Sequence, residues 1–575
     1  MNNYELAAIF DRIADLLEIK GEVIYKTLAY RKAADSLRDL AEDINRIHAA
    51  GGLMDVPGVG RAIAEKIDEL LTTGHLGFLE KLETEVPATL VELLQVPDVG
   101  PKKARMFWQQ AGITSLAELE AAARGGKLRD LPGMGEKSEQ RILEGLAALS
   151  RRSHRMMLGN AVPIAERWLE FLRALPQVKQ AEAAGSLRRR RETVGDLDIV
   201  VATNDPAAVM QAFTGHHEVL RVKGQGENKS SVELISGLNI QVWTQPPERF
   251  GALLQFVTGS KDHNVRLREL AQKRGLSLSE RGFVDEAGVE TPCASETDVY
   301  ATLGLPLIPP ELREDRGEIQ SALKGGLPNL IRVEDIAMEL HAHTTWSDGV
   351  LSVEQLAEQA RSRGFRVIAV TDHSYSLGIV NGLTPERLRE QRVEIEAARR
   401  KFGHSITILQ GVEMEIRADG ELDFTDDVLA ELDIVIASLH VSLRQPKEVV
   451  TSRLLKAIRN PHVDIIGHPS GRLLPNREGA DLDWDAVFEA ASQSGIALEI
   501  NAHPSRLDLT DVHAKRASGM GIPISIDTDA HSPADFDMLR YGVSVARRAW
   551  MTPDMVINTW ETDKFLAWLR ARDKG

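Results

Sequence analysis

The chain of 575 residues contains a single cysteine, Cys293. That excludes an intrachain disulfide and any cysteine-based zinc site, and it fits a reducing compartment, so the cytoplasm is the expected location. Long hydrophobic runs are missing too. Although 43% of the residues are apolar, none of the uninterrupted runs approaches the ~18 residues of a spanning helix, so core material is ample and no membrane partner is expected. A basic excess is also lacking. The net charge is −16, whereas a phosphate-binding protein usually carries a basic signature. The acid is unevenly spread, with −6 over residues 1–150, 0 over 151–330 and −10 over 331–575, so bound cations would offset most at the C-terminal end. The first residues, "MNNYELAAIFDRIADLLEI", set acids among apolar residues at three-to-four spacing. They read as an amphipathic helix rather than an export signal.

A length of 575 residues implies roughly three to five domains. Residues 1–80 and 81–150 read as short helices around three similar turns, "DVPGVGRAIAEKI", "QVPDVGPKKARMF" and "LPGMGEKSEQRIL". Short apolar runs such as "LDIVVA" and "NIQVWT" then predict a mixed sheet over 151–248. Helical spacing returns over 249–312, and Pro, Gly and charge at 313–332 suggest a linker. From 333 to 575 seven apolar runs alternate mostly with helix-like charged segments, the pattern of a parallel sheet and, with this many repeats, of a closed β/α barrel.

Each of those seven runs ends in His, Asp or Glu: His341 and His343, His373, Glu413, His440, His468, His503, then Asp529 and His531, with Asp348 on the loop after the first. The C-terminal strand ends of a barrel converge on one face, so these residues should meet. His341 and His343 at i and i+2 of a strand point the same way, as do Asp529 and His531. Imidazole mixed with carboxylate suits Mn²⁺, Zn²⁺ or Fe²⁺ better than Mg²⁺.

The strings "HAHTTWSDG", "VTDHS", "GVEMEI", "ASLH", "IIGHPSG" and "DTDAH" resemble the PHP domain, the polymerase and histidinol phosphatase fold. The resemblance implies a distorted seven-stranded barrel holding up to three metal ions, Mn²⁺ or Zn²⁺, on nine ligands. These are His341, His343, Asp348, His373, Glu413, His440, His468, Asp529 and His531. His503 and Arg506 of "NAHPSRLDL" are candidates for catalytic contact with substrate, or alternatively for partners of the ligands.

The three N-terminal turns share Gly-x-Gly spacing before a helix, at Gly58 and Gly60, at Gly100, and at Gly133 and Gly135, with Asp98 where the second turn should have its first glycine. Free backbone N–H groups at such turns hold a phosphate without reading sequence, the helix-hairpin-helix mode of DNA binding. "YKTLAYRKAADSL" and "VPGVGRAIAEKIDELLTTG" resemble the deoxyribose-phosphate lyase domain of family X DNA polymerases. By that resemblance Lys66 is the Schiff-base lysine and Lys26 and Tyr30 support it.

"AGSLRRRRETVGDLDIV" is similar to the nucleotidyltransferase palm of the same family. Asp196 and Asp198, at i and i+2 of a strand, face one way and would bridge two Mg²⁺ or Mn²⁺ ions. Gly185, Ser186 and Arg189 resemble the residues that hold the incoming triphosphate. The family's Tyr-Phe before Thr-Gly, where the nucleotide sugar packs, is here Phe256–Val257 before Thr258–Gly259, a departure from the pattern. The family's third carboxylate lies in a Val-Asp-Leu-Arg-Val-Val-Pro-Pro pattern, and this chain reads "IQVWTQPP", with Gln241 in the aspartate's place. An amide oxygen brings no charge to a metal, so affinity and hydroxyl activation should fall. A two-residue turn at Ser236–Gly237 would pair Val232 with Gln241 and turn Glu233 to the opposite face, leaving no substitute acid.

The order of helical hairpins, palm, thumb and PHP barrel resembles the bacterial family X polymerases that carry a PHP domain. A monomer acting on gapped, nicked or 3′-ended DNA is implied, with deoxynucleoside triphosphates as substrates if the palm is competent. The alternatives are a DNA-end binding scaffold whose only activity is the PHP nuclease, and a small-molecule phosphatase.

Overall fold

The structure is a computed structural model and describes all residues except 2, 39–43, 57, 97, 150–154, 378–379, 475–476 and 573–575. It divides into two compact units, Met1–His154 and Arg155–Gly575. The boundary expected between 150 and 151 lies outside the described residues.

The first unit is helical, without a strand among its described residues. In each turn motif a left-handed residue precedes the helix: Gly58 at φ 80°, Asp98 at φ 66° and Gly133 at φ 72°. The helices that follow are α1 (Arg61–Thr73), α2 (Pro101–Ala111) and α3 (Glu136–Leu149). Asp98 thus adopts the conformation that the two glycines reach without cost, which aspartate tolerates better than most residues. The backbone bonds agree as well, from Val59 N to Val56 O, Val99 N to Val96 O and Met134 N to Leu131 O. Pro57 and Pro97 of these motifs lie outside the described residues.

The second unit starts with the palm. Helix α4 (Leu158–Arg173) packs on a five-stranded sheet of β1 (Val178–Ala183), β2 (Asp196–Thr203), β3 (Val219–Gln225), β4 (Lys229–Leu234) and β5 (Asn239–Gln245), in the order β1-β2-β5-β4-β3. β2 and β5 run parallel, with Asp198 directly opposite Gln241. The turn from β4 to β5 differs from the expected one. It holds three residues, Ile235 to Gly237, closed by Leu234 N to Leu238 O, with Gly237 at φ 84°. Ser231 therefore pairs with Gln241 and Glu233 with Asn239. The shift by one residue puts Glu233 on the same face as Gln241, against expectation, because face alternates along a strand.

The thumb follows as helices Phe250–Thr258 and Lys261–Gln272 and a small sheet, with the buried Cys293 in its apolar cluster. The stretch 313–332 is not a free tether. Arg313 is fully buried, helix Glu318–Leu323 joins the thumb cluster, and Glu318 lies 2.6 Å from His263.

The C-terminal barrel has seven parallel strands in sequential order: β6 (Met338–Glu339), β7 (Val367–Val370), β8 (Thr407–Glu415), β9 (Ile434–Ser438), β10 (Ile465–Gly467), β11 (Ala497–Asn501) and β12 (Ile524–Asp527). An isolated parallel bridge between Ala342 and Ala530 joins the first run to the last. Every residue of β7, β9, β10, β11 and β12 is buried, which explains why these strands read as continuous apolar runs rather than alternating ones. No described helix is long and apolar enough to cross a membrane.

Candidate metal centre and palm site

The strand ends of the barrel bring the nine expected ligands together. One group comprises His343, Asp348, His373 and His531, a second His341, His343, Glu413 and Asp529, and a third His373, Glu413 and His440. His468 joins through Nε2, 2.9 Å from Glu413 Oε1. Glu413 is the hub. Its Oε2 lies 2.8 Å from His373 Nδ1 and 3.4 Å from His341 Nε2. The i, i+2 expectation holds for His341 and His343, whose rings lie 5.3 Å apart.

Residues behind the ligands fix their orientation, and the sequence reading missed them. Glu499 Oε1 lies 2.7 Å from His341 Nδ1, and Glu415 Oε2 lies 2.7 Å from His440 Nδ1. Asp372 accepts from Thr344, Ser347 and Gln391 and so holds the loop that carries Asp348. Such carboxylate–histidine pairs fix which ring nitrogen faces inward. Burial would raise the carboxyls of Glu413 and Asp529, but the surrounding imidazoles hold both well below the usual range. Burial alone would lower His440, yet Glu413 and Glu415 lift it to about 9.

The donor set fits metal ions. His341 Nε2, both ring nitrogens of His343, His440 Nε2, Glu413 Oε2 and Asp529 Oδ1 are buried without a hydrogen-bond partner. Buried polar atoms are rarely left so, and here they converge. A cavity of about 450 Å³ opens onto the cluster between Asp348, His373, His440, Asp529, His531 and Arg506. Arg506 Nη1 is buried without a partner, while its Nε lies 3.4 Å from Asp529. His503 is not in this mouth. It is turned to a neighbouring cavity, with Nδ1 2.7 Å from Ser505 Oγ.

The palm pair is arranged differently. Gln241 Nε2 donates to Asp196 Oδ2 at 2.5 Å, and Trp243 Nε1 donates to Asp198 Oδ1 at 3.3 Å. Lys229 Nζ covers the Trp243 ring at 3.8 Å. Burial and the adjacent Asp196 push Asp198 up to about 7. Two N–H donors from β5 thus engage one oxygen of each carboxylate, so a pair of divalent ions would compete with them for Asp196 Oδ2 and Asp198 Oδ1. Glu233 offers no substitute. Its row runs through Asn239 to Asp196, two strands or about 10 Å away, and Arg221 holds it at 2.8 Å.

Around the pair, Gly185 stands at φ 59°, where an added Cβ would lie 2.3 Å from Asp198 Oδ2, so only glycine lets this turn approach the carboxylate. The arginines beside Ser186 are committed. Arg188 grips Glu296 through both Nη atoms, at 2.8 and 2.7 Å. Arg189 binds Glu314 at 3.0 Å and the Thr258 carbonyl at 2.8 Å. Arg548 of the barrel donates to both Glu314 and the Arg189 carbonyl. Asn264 bonds the carbonyls of Phe256 and Gly259.

In the helical unit, Lys66 Nζ donates to Ala62 O at 3.0 Å and lies 4.9 Å from the Phe78 ring centroid. Lys26 lies 5.7 Å from the same ring, and Tyr30 stacks on it at 6.0 Å. Burial raises the Tyr30 hydroxyl to about 12. The three residues expected to act together therefore meet around one phenyl ring.

Comparison with known proteins agrees with this layout. Residues 1–76 match the helix-hairpin-helix domain, 90–148 the SAM-like helix-hairpin-helix tandem, 252–314 the DNA polymerase beta thumb and 339–503 the PHP domain. Rat DNA polymerase lambda is 26% identical over 54% of this chain and 56% of its own. A probable phosphatase of Thermoanaerobacter sp. (strain X514) is 31% identical over 39% of this chain and 91% of its own. The DNA polymerase/3′-5′ exonuclease PolX of Bacillus subtilis (strain 168) is 39% identical over the full length of both chains. With that identity from end to end, the chain belongs to the PolX family.

Proposed function

We propose that the chain is a DNA repair enzyme that processes DNA ends. A metal-dependent 3′–5′ exonuclease in the PHP barrel is joined to a family X polymerase core whose gap filling is weakened by Gln241. The observation that carries this reading is the contrast in unpartnered atoms. Inward-facing ligand atoms of the barrel lack partners, whereas Asp196 and Asp198 each accept an N–H from β5.

His341, His343, Asp348, His373, Glu413, His440, His468, Asp529 and His531 would hold up to three ions, Mn²⁺ or Zn²⁺ by their donor chemistry. When bound, such ions make water a better nucleophile and neutralise charge gathering on a phosphoryl group. The chain's own part is to place the phosphate. Arg506, with a free Nη1 in the mouth, receives a phosphate oxygen. Glu499 and Glu415 keep His341 and His440 oriented. Gly58, Gly60, Gly100, Gly133 and Gly135 hold the DNA backbone in the helical unit, and Lys66, with Lys26 and Tyr30, attacks an abasic sugar there. In the palm, Asp196 and Asp198 would take Mg²⁺ or Mn²⁺ in competition with the N–H groups of Gln241 and Trp243. Gly185, Ser186, Phe256 and Gly259 form what remains of the triphosphate site.

A small-molecule phosphatase is the second reading, since the barrel alone is similar to a probable phosphatase. The palm favours DNA. Glu192 binds Arg472 of the barrel at 2.9 Å and Glu166 binds Arg540 at 2.9 Å, so the palm adjoins the barrel beside the mouth. Degradation of a 3′-ended oligonucleotide in Mn²⁺, lost in His341→Ala, tests the nuclease. Turnover of phosphate monoesters but no oligonucleotide would favour the phosphatase.

A further inference from the structure

Beside the metal mouth lies a second cavity, of about 420 Å³, that the proposed chemistry does not use. Its walls come from two domains. Met157, Gly159 and Asn160 at the start of α4 belong to the palm, while Leu474, His503, Pro504, Ser505, Ala534, Met538 and Tyr541 among others belong to the barrel.

Two chain segments each contribute a residue to both cavities. Arg506 and His503 stand on one loop, the first in the metal mouth and the second in the palm-side cavity, and His531 and Ala534 do the same on another. Three residues span at most about 11 Å of backbone, so the cavities are immediate neighbours along both walls. The palm is fitted closely to the dividing loop. A Cβ on Gly159 would lie 2.3 Å from Pro504 Cβ. Arg472 donates to the carbonyls of Arg506 and Leu507 and is itself held by Glu192 of the palm. The palm thus braces the loop that presents Arg506.

The lining decides what the cavity suits. Met157, Leu474, Pro504, Met538 and Tyr541 are apolar or aromatic, with Asn160, His503 and Ser505 as polar groups at the edge, the composition of a site for a small planar ligand. A phosphate is disfavoured, because Arg540 is engaged by Glu166 and Tyr541 Oη through its two Nη atoms, leaving only Nε without a partner, and the Asp537 carboxylate also lines the wall.

We propose that this palm-side cavity receives the nucleobase next to the one being removed, so that the palm supplies half of the strand path of the PHP exonuclease. The proposal rests on the nuclease reading above and assigns the palm a role that does not need polymerase chemistry.

The test uses the full-length protein and single-stranded oligonucleotides with either a normal or an abasic penultimate residue. Ala534→Trp fills the cavity from the exposed barrel side and Asn160→Trp from the exposed palm side. On the wild type the abasic residue should lower kcat/KM by about tenfold, one base's worth of stacking. Each tryptophan should lower it by a similar factor on the normal strand, and the two changes together should cost no more than either alone. Equal rates on both strands, or losses that multiply, would overturn the proposal. If His343→Ala degrades both strands as fast as the wild type, the nuclease assignment itself has failed, a result distinct from failure of the cavity.

Discussion

The palm and the PHP barrel each gather carboxylates at strand ends, yet they treat them oppositely. In the palm, Gln241 and Trp243 each present an N–H to one oxygen, of Asp196 and of Asp198 respectively, so each acid is tied to the protein through that oxygen. In the barrel, Glu413 and Asp529 face imidazoles whose inward nitrogens include several with no partner. A buried polar atom without a partner costs on the order of 1–3 kcal/mol, and several at one point persist only where a ligand repays them.

Removing a shared ligand should break the contrast most severely. His343 belongs to two of the three groups, and His343→Ala should slow 3′-end degradation by about 10²–10³-fold, the weight of several kcal/mol of metal stabilisation, as timed on a labelled 3′ end. Glu499→Gln leaves every proposed ligand in place but weakens the hold on His341. It should reduce Mn²⁺ affinity or activity by about 10–100-fold, measured by metal titration, and leave any primer extension unchanged.

Acid should loosen the ion pairs that tie the palm to the thumb, at Glu296, and to the barrel, at Glu314. Burial would raise Glu296, but Arg313 and Arg188 hold it at about 2, and Arg548 and Arg189 do the same for Glu314 against its burial. Because these folded values lie below the ordinary 4.5, the ion pairs stabilise the fold fully above that value. The contribution is lost as pH falls from there through about 2. At most about 3 kcal/mol per group is at stake, and Glu314→Gln should flatten the fall of Tm across this window. The smallest effect is expected from Gln241→Asp. It replaces an N–H donor by a ligand opposite Asp198 and should raise extension on gapped DNA by about tenfold at most, ligand charge being one term among several. No gain would place the defect elsewhere in the palm.

Much of the site was legible because each barrel ligand ends, or closely follows, an apolar run, and strand direction alone then brings the ends together. Glu499 and Glu415 were harder to see. They lie inside "IALEINAH" and "GVEMEI", where a carboxylate in a buried strand carries no mark of its partner. The face of Glu233 was misread because one extra residue in a turn reverses every side chain that follows, and Ser236–Gly237 looks like a two-residue turn in isolation. The expected linker failed for a related reason. Its charges signal exposure in sequence, yet Arg313 is fully buried against Glu296. The Arg189 side chain is held by Glu314 and the Thr258 carbonyl, 125 and 69 positions away, which local spacing cannot show.

The central claim is that the barrel, not the palm, carries most of the chemistry. One gapped, 3′-labelled DNA in Mn²⁺ with deoxynucleoside triphosphates, given to the wild type and to Asp196→Ala, tests it directly. Shortening of the 3′ end that dominates in both proteins, with little extension in either, is the predicted result. Vigorous extension by the wild type that disappears in Asp196→Ala would contradict it.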